Sequence, residues 1–362
     1  MLAAAGAASC RPQKAEGFPG YAFVANSAGR AVAVVDLSAF AVTRHIRLEA
    51  NPTEILSHPA RPFVFALTPE TGAIHEIDAE SLTLSRSRRI SPGAASMLLA
   101  PGGGSIWILE QERQELLQLS PDSLLVEHRL ALPGRPVDFD LSYDGARVAV
   151  AFGPEGRVAI AETAENRITG PAALGGSADL LRFRSDGRQI LVGSRSRREL
   201  AIVDAPSARL IVRLPLSVEP EHFCFKPDGG QLFITGRGRD AVVTVNPYET
   251  QIASTTLAGS SPGCMAAAAD PDYLFAANPD AGDVTVLDIN TQRVAAVVPA
   301  GRRPGHITVT PDNRYALVLN RDSGDMAVIR IETLSGRRRK LAPLFMMVPL
   351  GSQPVAAVVR TV

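Results

Sequence analysis

A short run of alternating apolar residues closed by a mostly polar residue recurs along this chain at one constant step, the distance from Asp36 to Asp78. AVAVVD ends at Asp36, AIHEID at Asp78, ELLQLS at Ser120, VAIAE at Glu162, LAIVD at Asp204, VVTVN at Asn246, VTVLD at Asp288 and MAVIR at Arg330. Eight copies of one strand at a fixed step leave few folds open, because a repeated unit of this size must stack on its neighbours to bury its apolar faces. Two further registers share the period. Asp144, Asp186, Asp228, Asp270 and Asp312 open turns, four of them as Asp-Gly or Asp-Asn, and each turn leads into a second strand such as QLFITG or RYALVLN. Pro52, Pro136, Pro220, Pro262 and Pro304 each open another strand, and the register returns at Pro354, displaced by an insertion around SGRRRKL. A fourth strand, such as ARLIVRL at 208–214, completes the repeat.

Four strands in a repeat of about 40–45 residues define a propeller blade, so the expected fold is an all-β, eight-bladed β-propeller of four-stranded antiparallel blades. The chain enters with a second strand, YAFVAN, and ends with QPVAAVVRTV, which has the pattern of a first strand. The C-terminus is therefore expected to supply the inner strand of the first blade and close the ring, which removes two exposed edges. Residues 20–362 read as one domain, preceded by a leader and linker over 1–19.

The leader MLAAAGAASC places small residues before Cys10, as a bacterial lipoprotein signal does, with no basic residue ahead of the apolar run. The expectation is a periplasmic or cell-surface protein whose link to a membrane is a lipid on Cys10. Cys224 and Cys264 lack the spacing of a zinc knuckle or a redox pair. Lys and Arg together number 37, as do Asp and Glu, so the field needed for nucleic-acid binding is missing and any charge-driven recognition is local. A monomer is expected.

The Pro-opened strand, the PDG-like turn, the LFVAN-like strand and the VIVID-like strand together resemble the bacterial YVTN-repeat β-propeller family. KPDGGQLFITG (226–236), YLFAANPDAGDVTVLDINTQRV (273–294) and TPDNRYALVLNRDSGDMAVIRI (310–331) carry the likeness, which covers about residues 20–362. No GH…WD pair, double-glycine Kelch motif or Asp-box is present. The resemblance implies blades and turns. It leaves function open among binding proteins, surface proteins, lactonase-like hydrolases and haem-binding propellers.

Propeller ligands meet the central opening. The position two after the Pro register repeats around it as Glu54, Ser96, Asp138, Leu180, His222, Cys264, His306 and Ala356. His222, Cys264 and His306 fall on consecutive blades and are candidate zinc or copper ligands. Trapped water along the axis accounts for the same polarity without a metal. In the loops on that face, Arg195, Arg237 and Arg321 share a register, and Arg197 matches Arg239. Glu54 and Asp138, with loop residues Glu70, Glu110 and Glu112, sit on blades 2 to 4. The face is thus expected to be basic over blades 5, 6 and 8 and acidic opposite, suited to a small anionic molecule or a protein partner.

No GxSxG, HExxH, Walker A or dinucleotide fingerprint occurs. A non-catalytic binding or scaffold role is the reading that needs fewest coincidences. Kept beside it are a metal site at His222, Cys264 and His306, a haem site with His222 or His306 as axial ligand, and a lactonase-like hydrolase using Glu54 and Asp138.

Overall fold

A computed structural model of the protein describes residues 17–165, 167–334 and 342–361; the Cys10 signal lies outside the described residues. Eight four-stranded antiparallel sheets form a propeller ring. In seven blades the strands are consecutive in the chain. In blade 1, Gly20–Asn26, Ala31–Asp36 and Ala41–Arg47 are joined by Pro354–Thr361, which becomes the inner strand. That strand pairs with Gly20–Asn26 from Gly20 opposite Thr361 to Asn26 opposite Pro354. The other inner strands are Glu54–Ser57, Ala94–Leu99, Asp138–Leu141, Leu180–Phe183, Glu219–Phe225, Met265–Ala267 and Pro304–Val309.

The strands are built as the alternation requires. Residues on the two faces of a blade pack against the two neighbouring blades, so the middle strands are buried on both sides, as in AVVTVN and YALVLN. There is consequently no single core. Eight apolar clusters of the described residues lie one per seam between blades. The seam between blades 8 and 1 holds Phe40, Tyr315 and Phe345, with Phe40 edge-on to the other two rings at centroid separations of 5.0 and 5.5 Å.

Local chemistry fixes the turns at each end. The Asp register folds back on itself: the carboxylates of Asp144, Asp186, Asp228 and Asp312 accept the backbone N–H two residues on. At the opposite end Gly72 has φ +60°, and a Cβ there would come within 1.8 Å of the Ser91 carbonyl, so only glycine fits. Every outer strand carries a register shift against its neighbour. In seven blades it falls at the same point of the repeat, from Val34/Val35 in blade 1 to Val328/Ile329 in blade 8.

A second register appears where the second strand ends. Asn26, Asn278 and Asn320 occupy equivalent points of the repeat and are buried. Asn26 Nδ2 donates to the Leu350 carbonyl at 2.8 Å, and Asn320 Nδ2 to the Ala300 carbonyl at 3.0 Å and to Asp325 Oδ1 at 2.7 Å. In blades 1 and 8 the amide thereby hooks the linker that arrives from the preceding blade. Asn320→Ala is expected to lose about 1–3 kcal/mol, since it strands a buried carbonyl. Denaturant unfolding should show the loss as a lower midpoint with an unchanged slope.

Candidate functional site at the central channel

An inner strand pairs on one side only, so each blade presents unpaired backbone N–H groups to the axis, and these need acceptors. The register identified from the sequence provides several. Glu54 Oε2 accepts Met97 N at 2.7 Å, and Asp138 Oδ2 accepts Leu181 N at 2.8 Å. Asp140 Oδ2 accepts Phe183 N at 2.7 Å. Each bond reaches 43 residues on, one more than the repeat, and therefore always joins one inner strand to the next. The Cys264 thiol meets the backbone of Ile307 and Cys224 that of Ala267 in the same manner, whereas the His306 imidazole meets the Ala357 backbone as a donor, a contact that favours its protonated form. Seam-stitching is thus a structural task of the ring.

On one wall the chemistry exceeds that task. Arg182, from blade 5, donates through Nη1 to Asp138 Oδ2 at 2.8 Å, and its side chain remains 40 % exposed to the channel. Burial works against its charge, but Asp138, Asp140 and Glu54 outweigh it and hold the guanidinium above its ordinary pKa. Burial pushes Glu54 up to about 7; its bond from Met97 and the Arg182 charge oppose this, and the Asp138 charge adds to it. Asp140 is pushed up to about 6 by burial, against Arg182 and the N–H groups it accepts. Glu54, Asp138, Asp140 and Arg182 thus form one electrostatic cluster reaching from blade 2 to blade 5.

The facing wall is neutral. Burial holds the His222 and His306 imidazoles below their ordinary pKa, aided at His222 by Arg195 and opposed by Glu221. It pushes the Cys224 thiol up to about 12, and raises Cys264 as well. His306 Nε2 is buried without a hydrogen-bond partner. His222, Cys264 and His306 do keep one register on blades 6 to 8. Among the described residues, however, no three His, Cys, Asp or Glu side chains come together in a way that could hold a metal ion.

The arginine loops join second to third strands, as in Gln189–Ser194 to Glu199–Asp204, and much of their charge is matched locally. Arg237 Nε meets Glu221 Oε1 at 3.0 Å while its side chain stays 79 % exposed. Arg197 and Arg213 share the buried Glu199, and Arg198 pairs with Glu219. Arg195 is exposed, with Nε 3.4 Å from the Pro220 carbonyl, and borders a 450 Å³ cleft with Glu155, Ser177, Asp179 and Ser196. Arg321 is exposed and its stem lies over Gly305. Glu110 corrects the expected acidic face. It is wholly buried, accepting Ser91 Oγ at 3.2 Å and the Arg113 N–H, and so anchors a loop rather than presenting charge.

Asp140 and Arg182 were missed by reading one position per repeat. Taken two residues further, the same register gives Leu56, Leu98, Asp140, Arg182, Cys224, Ala266, Thr308 and Val358, in which the two charges stand out.

No protein-family model matches the chain, and no curated protein sequence matches it. Solved structures do share its β-propeller fold. It is similar to the dihydro-heme d1 dehydrogenase NirN in complex with DHE, with a TM-score of 0.79 at 15% identity over 96% of this chain and 77% of that one. It is also similar to apo AztD from Citrobacter koseri, with a TM-score of 0.72 at 11% identity over 94% of this chain and 97% of that one. Kuenenia stuttgartiensis hydrazine synthase aligns with a TM-score of 0.59 at 14% identity, over 75% of this chain and 96% of that one. Identities this low establish the architecture alone.

Proposed function

We propose that this chain is a non-catalytic, extracytoplasmic binding propeller of the YVTN-repeat type, which takes a small molecule at the mouth of its central channel. The supporting observation is the Glu54, Asp138, Asp140 and Arg182 cluster. Packing and seam-stitching need no guanidinium inside a channel, and keeping charges there costs desolvation. Arg195, Arg237 and Arg321, exposed where second strands lead into third strands, suit an anionic group of the ligand or of a protein partner. The small residues ahead of Cys10 support export and lipid attachment.

Calorimetric titration with succinate, methylammonium and haem tests the reading. At least one of them is expected to saturate the wild-type protein, and succinate should bind about ten-fold or more weakly to Arg182→Met, the loss that goes with one charge-assisted hydrogen bond. Absence of saturable binding by any of the three would sink the proposal.

A second reading, a haem-type ligand, is favoured by the extent of the likeness to a propeller solved with DHE and by the neutral His222 beside Arg195. A haem spectrum that depends on His222 and is indifferent to Arg182→Met would select it.

A further inference from the structure

Three carboxyl groups, Glu54, Asp138 and Asp140, share the channel wall with one guanidinium, Arg182. Asp138 is matched to that guanidinium directly, through Oδ2 at 2.8 Å. Glu54 and Asp140 are left over. Each has one oxygen on a backbone N–H of the next blade, Glu54 Oε2 on Met97 and Asp140 Oδ2 on Phe183, and Asp140 meets the Leu141 N–H as well.

Among the described residues the surroundings supply no second cation. Facing Glu54 are the Met97 N–H of blade 3, Asp138 of blade 4 and Arg182 of blade 5. From the inner strand of blade 1, Arg360 is engaged with Ser57 Oγ and the His58 carbonyl. Facing Asp140 are Arg182 and Asp138, and on the neighbouring strand of its own blade Arg147 is paired with Glu162 at 2.7 Å. The opposite wall carries thiols and imidazoles that burial keeps uncharged.

We propose that the channel is a proton-exchanging site, balanced in charge when Glu54 and Asp140 are protonated and negative when they ionise, so that the ambient proton concentration sets the charge of the ligand it admits. An ammonium group entering the channel displaces the proton from a neutral carboxyl to water and pairs with the carboxylate formed. An anion entering requires the reverse, uptake of a proton at the same carboxyl. The ligand half of this statement rests on the channel being the binding site; the proton half stands on the wall alone.

Carbon-13 NMR of protein labelled at the Asp and Glu carboxyl carbons tests both halves, with Glu54→Gln and Asp140→Asn assigning the two signals. Expected midpoints are about 7 for Glu54 and about 6 for Asp140, and methylammonium should move both to lower pH. Two midpoints in the ordinary carboxyl range, near pH 4, would overturn the proposal and leave the binding reading untouched. Raised midpoints that neither methylammonium nor acetate moves would overturn the ligand coupling and count against the channel as the binding site. If either substitution unfolds the protein, Glu54→Asp or Asp140→Glu serves for assignment, since each keeps a titrating carboxyl at a shifted resonance.

Discussion

Removal of residues 354–362 is expected to abolish cooperative folding of the entire ring. The deletion takes away the inner strand of blade 1, which runs alongside Gly20–Asn26 through seven paired positions. Each net hydrogen bond is worth about 1 kcal/mol. Ala357 and the side chains packed with it also leave the seams to blades 8 and 2. The sum approaches the whole stability of a typical domain, about 5–15 kcal/mol. Circular dichroism and thermal melting should therefore find no native transition in the shortened protein. Adding back a synthetic peptide of the missing strand should restore one. A truncated protein that melts like the intact one would mean that the ring does not depend on this closure.

Stability should fall as the pH rises from acid to neutral, and Glu54 and Asp140 are the groups responsible. Both carboxyls bind protons more tightly in the folded protein than in the unfolded chain, because burial disfavours their charged forms. The folded state consequently holds more protons between the two sets of pKa values. Its stabilisation is complete below the unfolded values near 4 and is lost as pH rises through about 6 and then about 7. In Glu54→Gln combined with Asp140→Asn the amide oxygens still accept Met97 N and Phe183 N, but no charge develops. Allowing for water in the channel, the double variant should exceed wild type by about 2 kcal/mol at pH 8 and match it near pH 4. Urea melts at the two pH values check this. A wild-type protein as stable at pH 8 as at pH 5 would contradict it.

The blades were legible because their information is redundant. Strand, turn and proline registers all repeat with the same period, and a chance match in one copy cannot imitate several in phase. The ring closure was readable for the same reason, since YAFVAN and QPVAAVVRTV match different positions of the repeat. The site was less accessible because chemistry there breaks the repeat. Arg182 stands where Leu56, Leu98 and Val358 stand in other blades, and nothing local marks a guanidinium as facing the axis. Glu110 shows the converse error. It reads as a loop acid, yet it occupies the buried position that Asn26, Asn278 and Asn320 fill elsewhere. Comparing copies across the period would have exposed both.

The shifted register in every outer strand bears on how the molecule behaves in concentrated solution. A propeller of eight blades turns eight free strand edges outward, and on Arg293–Pro299 and Leu344–Pro349 these are poor in charge, with Val297, Met346 and Met347 exposed. A straight edge of that composition would be a template for another molecule's strand. The extra residue in each rim strand, near its start in seven of them, bends it and breaks the even spacing of donors and acceptors, so a second rim cannot lie flat against it. The rim thus resists fibrous stacking by shape where it lacks the charge to do so.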